Sequence, residues 1–230
     1  MQPKGGSDPN ILAFDTSGPH VSAAVFCGSI RAEIELSMAR GQAEHLMGTL
    51  QAVLSQAGGA LENIDALAVG IGPGNFTGIR ISVAAAKGLG LGLGIPVIGV
   101  STFEAMLDPD GPLAEPGLVV SVPAPRDQAY VQLLRYGKPV GAPRLIDPAT
   151  PPQDLEVPVN MRVRGFRAAD IARSFGASVS QIEPVPIAAQ IARMGEIKWR
   201  DDSFDRRAAP LYVRPADAAP PKDPPVRIVP

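Results

Sequence analysis

The chain has 230 residues, of which 45% are hydrophobic and 19% charged, so it can bury enough apolar surface to fold and is not a disordered protein. Its 21 basic and 23 acidic residues leave a net charge of −2, which excludes a broad electrostatic attraction to nucleic acid. The single cysteine, Cys27, excludes an intrachain disulfide and fits a reducing compartment. We find neither a signal peptide nor a membrane span in the sequence, and therefore expect a cytoplasmic protein.

Hydrophobic periodicity predicts an α/β protein. The predicted strands lie at residues 11–15, 21–27, 30–36, 64–71, 97–100, 118–122 and 130–134. The predicted helices lie at residues 43–57, 77–93, 168–175 and 186–198. This order indicates mixed sheets flanked by helices, with a second, smaller lobe. The proline-rich stretches at residues 139–158 and 210–230 are typical of loops and a mobile end.

We predict four segments along the chain. Residues 1–9 form a disordered N-terminus, residues 10–107 an N-terminal lobe, residues 108–215 a C-terminal lobe and residues 216–230 a proline-rich flexible tail. The first 100 residues contain five basic and seven acidic side chains, whereas the remainder contains sixteen of each. The first lobe is therefore short of side chains that favour contact with water.

The helix predicted at residues 77–93 is apolar on almost all sides, and Arg80 and Lys87 are its only charged residues. One apolar stripe can pack on the helix's own sheet, but a second stripe needs a cover from the rest of the fold, a second copy or another protein. Arg80 and Lys87 share a face of this helix. Three roles are open for them: the rim of an interface, contact with a nucleotide phosphate, or extension into solvent at the edge of a buried helix. The candidate interface residues come from the helices predicted at residues 43–57 and 77–93. They are Leu46, Leu50 and Val53 in the first helix, and Thr77, Arg80, Ile81, Ala84, Lys87, Gly88 and Leu91 in the second.

A glycine-rich loop at residues 72–75 precedes this helix. Such a position can bind an anion, because backbone N–H groups and the positive end of the helix dipole meet there. The spacing of the glycines matches neither the dinucleotide-binding fingerprint nor the P-loop. The alternative is a turn whose glycines let the helix and the sheet approach closely.

Several stretches of the chain resemble the TsaB (YeaZ) family. They are ILAFDTS at residues 11–17, Glu44-His45, ALAVGIGPGNFTGIRI at 66–81 and IPVIGVST at 95–102. PLYVR at residues 210–214 resembles the closing motif of the family. The resemblance is close over residues 10–107, and the region between it and the closing motif is divergent.

The resemblance implies a two-lobed ASKHA (actin/hexokinase-like) fold and a role as the non-catalytic partner of TsaD in making threonylcarbamoyladenosine at adenosine 37 of ANN-decoding tRNAs. It implies a heterodimer with TsaD through the first two helices, with TsaE in the larger complex and a homodimer when TsaD is absent. Contact with tRNA is then only indirect. The resemblance also implies no cofactor of the chain's own and an adenine nucleotide at the junction with TsaD.

Asp15, Thr16 and Ser17 resemble the start of the phosphate-binding loop of ASKHA proteins, although Ser17 stands where those proteins usually have glycine. Together with Gly74 and Asn75 they are the candidate nucleotide-binding residues. The alternative role of Asp15 is that of a strand-end turn residue that bonds to its own backbone.

The related catalytic subunit binds a metal through the outer histidines of His-His-Met-Glu-Gly-His, whereas residues 101–106 of this chain are Ser-Thr-Phe-Glu-Ala-Met. Hydroxyls and a thioether are poor substitutes for imidazole ligands, and His20 and His45 are the only histidines in the sequence. We therefore expect no catalytic residue and no metal ligand. His45, beside Glu44, is better explained as a residue at the start of a helix than as a catalytic base.

The sequence has one basic cluster, formed by Arg162, Arg164, Arg167 and Arg173. A solvated helix face explains it better than contact with the tRNA backbone, since no aromatic platform accompanies it. The alternative to the scaffold function is an ASKHA-type small-molecule kinase or ATPase, or an M22-like peptidase. A kinase of this type would bind and turn over ATP by itself, whereas a scaffold would not.

Overall fold

The structure, a computed structural model, describes residues 8–107, 117–155, 161–180, 186–204 and 208–213. The predicted tail at residues 216–230 lies outside these ranges. The strands are β1 (Ile11–Asp15), β2 (His20–Phe26), β3 (Ile30–Ser37), β4 (Ala66–Gly70), β5 (Val97–Val100), β6 (Leu118–Pro123), β7 (Ala129–Arg135), β8 (Lys138–Ile146), β9 (Arg162–Gly165) and β10 (Ser178–Val179). The helices are α1 (Gln42–Gln56), α2 (Phe76–Leu93), α3 (Thr102–Ala105), α4 (Ala168–Phe175) and α5 (Ile187–Arg200), with a short 3-10 helix at Leu61–Asn63.

The first sheet has, within the described residues, five strands in the order β3-β2-β1-β4-β5. Strands β1, β2 and β3 form an antiparallel meander, and β4 and β5 pair parallel to β1 and β4. β1 and β4 are buried along their whole length, because helices cover both faces of the sheet. Leu12 and Phe14 pack with α1 and α2 on one face, and Ile11 and Ala13 pack with α5 on the other.

Helix α5 lies within the segment predicted as the C-terminal lobe, yet it packs on the first sheet. Gly195 allows this close approach, because a Cβ at that position would lie 2.7 Å from the Cβ of Ala68. Lys198 fixes the end of the helix, since its Nζ lies 2.8 Å from Glu104 Oε1 and donates to the Gly99 carbonyl. The chain thus returns to its first lobe after it has formed the second sheet.

The second sheet has the strand order β10-β9-β6-β7-β8 within the described residues. The prediction of a loop over residues 139–158 is wrong for the part of β8 that it covers. β8 contains Pro139 and Pro143. Proline is tolerated in this strand because β8 lies at the edge of the sheet and pairs on one side only, with β7. The two mixed sheets with their flanking helices form the two-lobed ASKHA-type fold that the sequence resemblance implied.

The start of the described chain differs from the prediction of a disordered N-terminus over residues 1–9. Pro9 is buried, and Asp8 Oδ1 lies 2.6 Å from an Arg200 nitrogen at the end of α5. Residues 1–7 lie outside the described ranges. In the part of the chain that the structure describes, no helix combines the length and the hydrophobicity needed to cross a bilayer.

Candidate functional site

Helix α2 begins and ends with well-defined caps. The side-chain oxygen of Asn75 accepts hydrogen bonds from the backbone N–H groups of Thr77 (2.9 Å) and Gly78 (3.1 Å), which satisfies two donors that have no partner inside the helix. At the other end, Gly94 adopts the left-handed conformation with φ 67°, which glycine reaches without steric cost. The sequence thus defines both ends of this helix locally.

The first turn of α2 packs against the turn between β1 and β2. The Thr16 hydroxyl donates to the Gly78 carbonyl at 2.6 Å, and the Asn75 N–H donates to the Ser17 carbonyl at 2.7 Å. A Cβ at Gly78 would overlap the Thr16 carbonyl oxygen, and one at Gly74 would lie 2.6 Å from that of Ser17. The interpretation of the glycine-rich loop as a place of close backbone approach is confirmed.

Asp15 lies at the centre of this turn and is 1% exposed. Its Oδ2 accepts hydrogen bonds from the Ser17 N–H (2.8 Å) and the Ser17 hydroxyl (2.9 Å), and His20 Nε2 lies 2.9 Å away. The role of Asp15 as a strand-end turn residue is therefore confirmed. The candidate nucleotide-binding residues do come together, but Asp15, Thr16 and Ser17 are buried and bond internally, and nucleotide binding here stays a prediction.

His20 is the titratable partner in this turn. Burial lowers the pKa of His20, but the hydrogen bond to Asp15 and the charges of Asp15 and Glu35 more than offset it, so the pKa is raised above 6.5. The protonated imidazole is then held against a buried carboxylate. The turn that holds the start of α2 is therefore stabilised by an ion pair that depends on pH.

Residues 101–106, which the resemblance aligns with the metal-binding stretch of the catalytic subunit, have structural roles here. The Ser101 hydroxyl and N–H both donate to Glu104 Oε2 at 2.8 Å, forming a capping box for α3. Thr102 holds the glycine-rich loop, since its N–H donates to the Gly72 carbonyl and its hydroxyl to that of Pro73. Over the described ranges, no three His, Cys, Asp or Glu side chains are grouped as metal ligands would be.

Helix α2 turns one side to its sheet and the other side to solvent. Its buried residues are Gly78, Ile79, Ser82, Val83, Ala86 and Gly90. On the opposite side Leu91 is 87% exposed, and apart from its chain neighbours and the nearby backbone of α2 no described atom would lie within 4 Å of a Cβ at Gly88. We call this side the α2 outer face. It consists of the half-buried Ile81 and six exposed residues, Thr77, Arg80, Ala84, Lys87, Gly88 and Leu91. The α2 residues predicted for an interface are therefore exposed, except Ile81, which is half-buried and packs against the core beneath α1 and α2.

Three residues of helix α1 that were predicted for an interface are buried in the core instead. Leu46, Leu50 and Val53 are at most 2% exposed and belong to the core beneath α1 and α2, so their prediction as interface residues is wrong. They form the stripe that attaches the helix to its own sheet. The α1 outer face, which lies beside α2, consists of Ala43, Glu44, His45, Met47, Gly48, Gln51, Ala52, Ser55 and Gln56. Met47 is 49% exposed and is the one large apolar residue on a face that is otherwise small or polar. It is the residue from which the α1 outer face could have been identified in the sequence.

His45 has the local role expected for it. It lies in the first turn of α1, is exposed, and its Nδ1 is 2.9 Å from the carbonyl oxygen of Gly41. The interpretation as a residue at the start of a helix is confirmed.

The basic cluster is not a helix face. Arg162 and Arg164 lie in β9, and Arg164 is 4% exposed, with hydrogen bonds to the Ser180 hydroxyl and the Met106 carbonyl. Arg167 pairs with Asp127 and Asp170, and Arg173 also pairs with Asp170. The hydrogen bond from Arg167 and the nearby positive charges lower the pKa of Asp170. Internal pairing of these arginines offers no support for contact with tRNA.

A contact that the sequence analysis missed joins α2 to the far end of the chain. The Leu211 N–H donates to the Ile71 carbonyl at 2.8 Å, which brings Tyr212 to the first turn of α2. There its ring centroid lies 4.9 Å from that of Phe76, and its hydroxyl accepts a 3.0 Å hydrogen bond from Arg80 Nε. The closing motif at residues 210–214 marked this segment in the sequence, but the motif does not indicate which part of the fold the segment contacts. Arg214 of that motif lies outside the described residues.

Comparisons with known proteins agree with this architecture. A family model described as TsaD, tRNA N6-adenosine threonylcarbamoyltransferase, matches residues 30–143. The chain is 42% identical over 97 residues to the tRNA threonylcarbamoyladenosine biosynthesis protein TsaB of Escherichia coli, a region that covers 42% of each protein. It is 31% identical over 96 residues to TsaB of Haemophilus influenzae, covering 42% of this chain and 41% of that one. The matches therefore span less than half the length of these relatives.

Solved structures extend the likeness in fold to most of the chain. A Pseudomonas aeruginosa protein with similarity to peptidase YeaZ has a TM-score of 0.71 and 24% identity, covering 90% of this chain and 100% of that one. YeaZ from the same organism has a TM-score of 0.66 and 23% identity, covering 89% and 99%. The close sequence match in the first lobe and the shared fold lead to one conclusion: this chain is similar in sequence to TsaB proteins and shares its fold with YeaZ.

Proposed function

We propose that this protein is a non-catalytic subunit that binds TsaD and supports the transfer of threonylcarbamoyl to adenosine 37 of ANN-decoding tRNAs. The observation that carries the proposal is the α2 outer face. It is apolar or small at most positions and lies open beside the α1 outer face. A surface of this kind is more favourable when another macromolecule covers it.

The glycines of α2 support a helix as the covering element. Apart from its chain neighbours and the nearby backbone of α2 itself, a Cβ added at Gly88 or Gly92 would have no described atom within 4 Å, so packing within the described fold does not require these residues to lack a side chain. Each costs about 1 kcal/mol of helix stability relative to alanine. Small residues let the backbone of a second helix approach closely, which compensates for this cost in a complex.

The choice of TsaD as partner rests on shared architecture. The family model described as TsaD matches residues 30–143, a range that includes both outer faces. A protein with a related pair of helices can pack against this pair about an approximate two-fold axis, as in a homodimer. The names of the TsaB relatives, which refer to tRNA threonylcarbamoyladenosine biosynthesis, point to the same process.

The proposed lack of catalysis is supported by what the polar residues already do. The carboxylates of Asp15 and Glu104 are buried and bonded to neighbouring side chains. Thr16 and Thr102 donate to backbone carbonyls. Groups engaged in this way hold the glycine-rich loop and are poorly placed to act on a substrate.

Four further points follow from the same proposal. TsaE joins the TsaD-bound form, an adenine nucleotide lies at the junction with TsaD, and two copies of this chain pair through the outer faces when TsaD is absent. The protein works in the cytoplasm, where tRNA is modified.

Gly88→Arg tests the docking surface. The new side chain enters open space on the α2 outer face, so the variant should fold, as judged by its circular dichroism and melting temperature, and should lose binding to purified TsaD in isothermal titration calorimetry. Ser174→Arg is the matched control, because Ser174 is an exposed residue of α4, and it should bind like the wild type. Unchanged binding by Gly88→Arg would contradict the proposal.

The catalytic alternative has its own test. The chain alone should hydrolyse no ATP and cleave no peptide, and should increase the incorporation of threonylcarbamoyl into tRNA only when TsaD and its other required components are present. ATP turnover by the chain alone, lost in an Asp15→Asn variant, would favour the kinase instead.

A further inference from the structure

We propose that Arg80 recognises a carboxylate on the docked partner, and that Phe76 and Tyr212 hold its guanidinium ready to do so. The inference rests on the proposed function, because it concerns the chemistry of the same docking surface. It assigns Arg80 as a specificity residue and Tyr212, from the far end of the chain, as a positioning residue.

The guanidinium of Arg80 is held on two sides. Its central carbon lies 3.8 Å from the centroid of the Phe76 ring and 5.9 Å from that of Tyr212. The first distance is within the range of a cation–π contact. Nε also donates to the Tyr212 hydroxyl at 3.0 Å. An exposed arginine normally samples many rotamers, but these contacts select one orientation before any partner arrives.

The same contacts leave the outer end of the side chain available. Nε is engaged by Tyr212, whereas Nη1 and Nη2 bond to no residue in the part of the chain that the structure describes. These two nitrogens form a planar fork that fits the two oxygens of a carboxylate. Because the fork is already oriented, little conformational entropy is lost when it binds.

The charge of the surface favours an acidic partner group. α2 has no acidic residue, and its two charged residues, Arg80 and Lys87, are both cations on the outer face. A partner that covers the apolar residues Ile81 and Ala84 next to Arg80 also removes water from the guanidinium. A buried cation without a counter-ion is strongly unfavourable, so we expect an Asp or Glu of TsaD to lie opposite Arg80.

The position of Tyr212 is itself fixed by the fold. Leu211 and Val213, on either side of it, pack against the core on the α5 side of the first sheet. The Leu211 N–H bonds to the carbonyl of Ile71, just before the glycine-rich loop. Tyr212 is 43% exposed and contacts α2 through Phe76 and Arg80. It acts on the partner through Arg80.

The test compares four variants of the full chain in titrations with TsaD at low and high salt. Arg80→Ala should weaken binding about a hundredfold at low salt and reduce the dependence of affinity on salt. Arg80→Lys should recover only part of the loss, because an ammonium group neither stacks flat nor forms a fork. Tyr212→Phe keeps the ring and removes the hydroxyl, so it should weaken binding up to about tenfold and preserve the salt dependence. Arg135→Ala is the control, because Arg135 is an exposed arginine of β7 in the second sheet, and it should bind TsaD like the wild type.

Each outcome separates this inference from the docking proposal. If Arg80→Ala binds like the wild type while Gly88→Arg does not bind, the carboxylate role is wrong and the docking surface stands. If Gly88→Arg also binds normally, the surface itself is wrong. Full recovery by Arg80→Lys would overturn the fork, and a loss in Arg80→Ala seen only with ATP present would indicate a phosphate in place of a carboxylate. Restored binding of Arg80→Glu by a TsaD variant with an acidic residue changed to Arg would identify the partner group.

Discussion

Helices α1 and α2 lie side by side on the same face of the first sheet, yet their apolar residues serve different purposes. In α1 the stripe of Leu46, Leu50 and Val53 is buried, and the opposite side carries polar residues such as Glu44 and Gln51. In α2 the buried side and the outer face are both largely apolar or small. An apolar stripe therefore indicates an interface only when the helix has a second apolar side, since the first is needed for its own core.

The largest expected effect on stability distinguishes the buried stripe of α1 from the outer face of α2. Leu50→Ala should lower the free energy of unfolding by about 2–5 kcal/mol, because it removes a leucine that is 1% exposed from the core. Leu91→Ala, on the α2 outer face, should change it by about 0.5 kcal/mol or less while weakening TsaD binding. Urea denaturation measures the first quantity and calorimetric titration the second. Equal destabilisation by both variants would show that the outer face is covered by the chain itself.

The second comparison uses two glycines of α2 itself. Gly78→Ala should destabilise the fold by about 1–3 kcal/mol, because its Cβ would overlap the Thr16 carbonyl oxygen. Gly88→Ala should stabilise the isolated protein by about 0.5–1 kcal/mol, because open space surrounds that position and alanine favours the helix. Thermal denaturation of both variants is sufficient. A stable Gly78→Ala variant would contradict the close contact between α2 and the β1–β2 turn.

The smallest effect concerns how the two helices begin. α1 follows Gly41 with no side-chain cap, whereas α2 depends on Asn75 and on the turn held by His20 and Asp15. Because the pKa of His20 is raised, its contribution to stability is fully present below the unfolded value of 6.5 and is lost as the pH rises through the folded value. The wild type should therefore lose stability over this range relative to His20→Asn, as measured by urea denaturation at a series of pH values.

His45 provides the control for this experiment. It is exposed in the first turn of α1, so His45→Asn should leave the pH dependence of unfolding unchanged. If His20→Asn retains the pH dependence of the wild type, the ion pair with Asp15 does not contribute to stability.

Local patterns in the sequence were sufficient to predict the first lobe. The meander, α1, β4, α2 and β5 all lie close to their predicted positions, because alternation, helical periodicity and glycine turns act within a few residues. The same signals failed for β8. Its prolines indicate a loop when the neighbouring strand is unknown, and its position at a sheet edge is a property of the whole sheet.

The sequence by itself therefore determined the elements of the first lobe, the presence of two apolar sides on α2 and the resemblance to the TsaB family. Only the tertiary structure decided that Leu46, Leu50 and Val53 are core residues, that α5 returns to the first sheet and that Tyr212 meets Arg80, 132 residues away. The physical reason is that periodicity shows which residues of an element share a side. What covers that side depends on contacts between segments far apart in the chain.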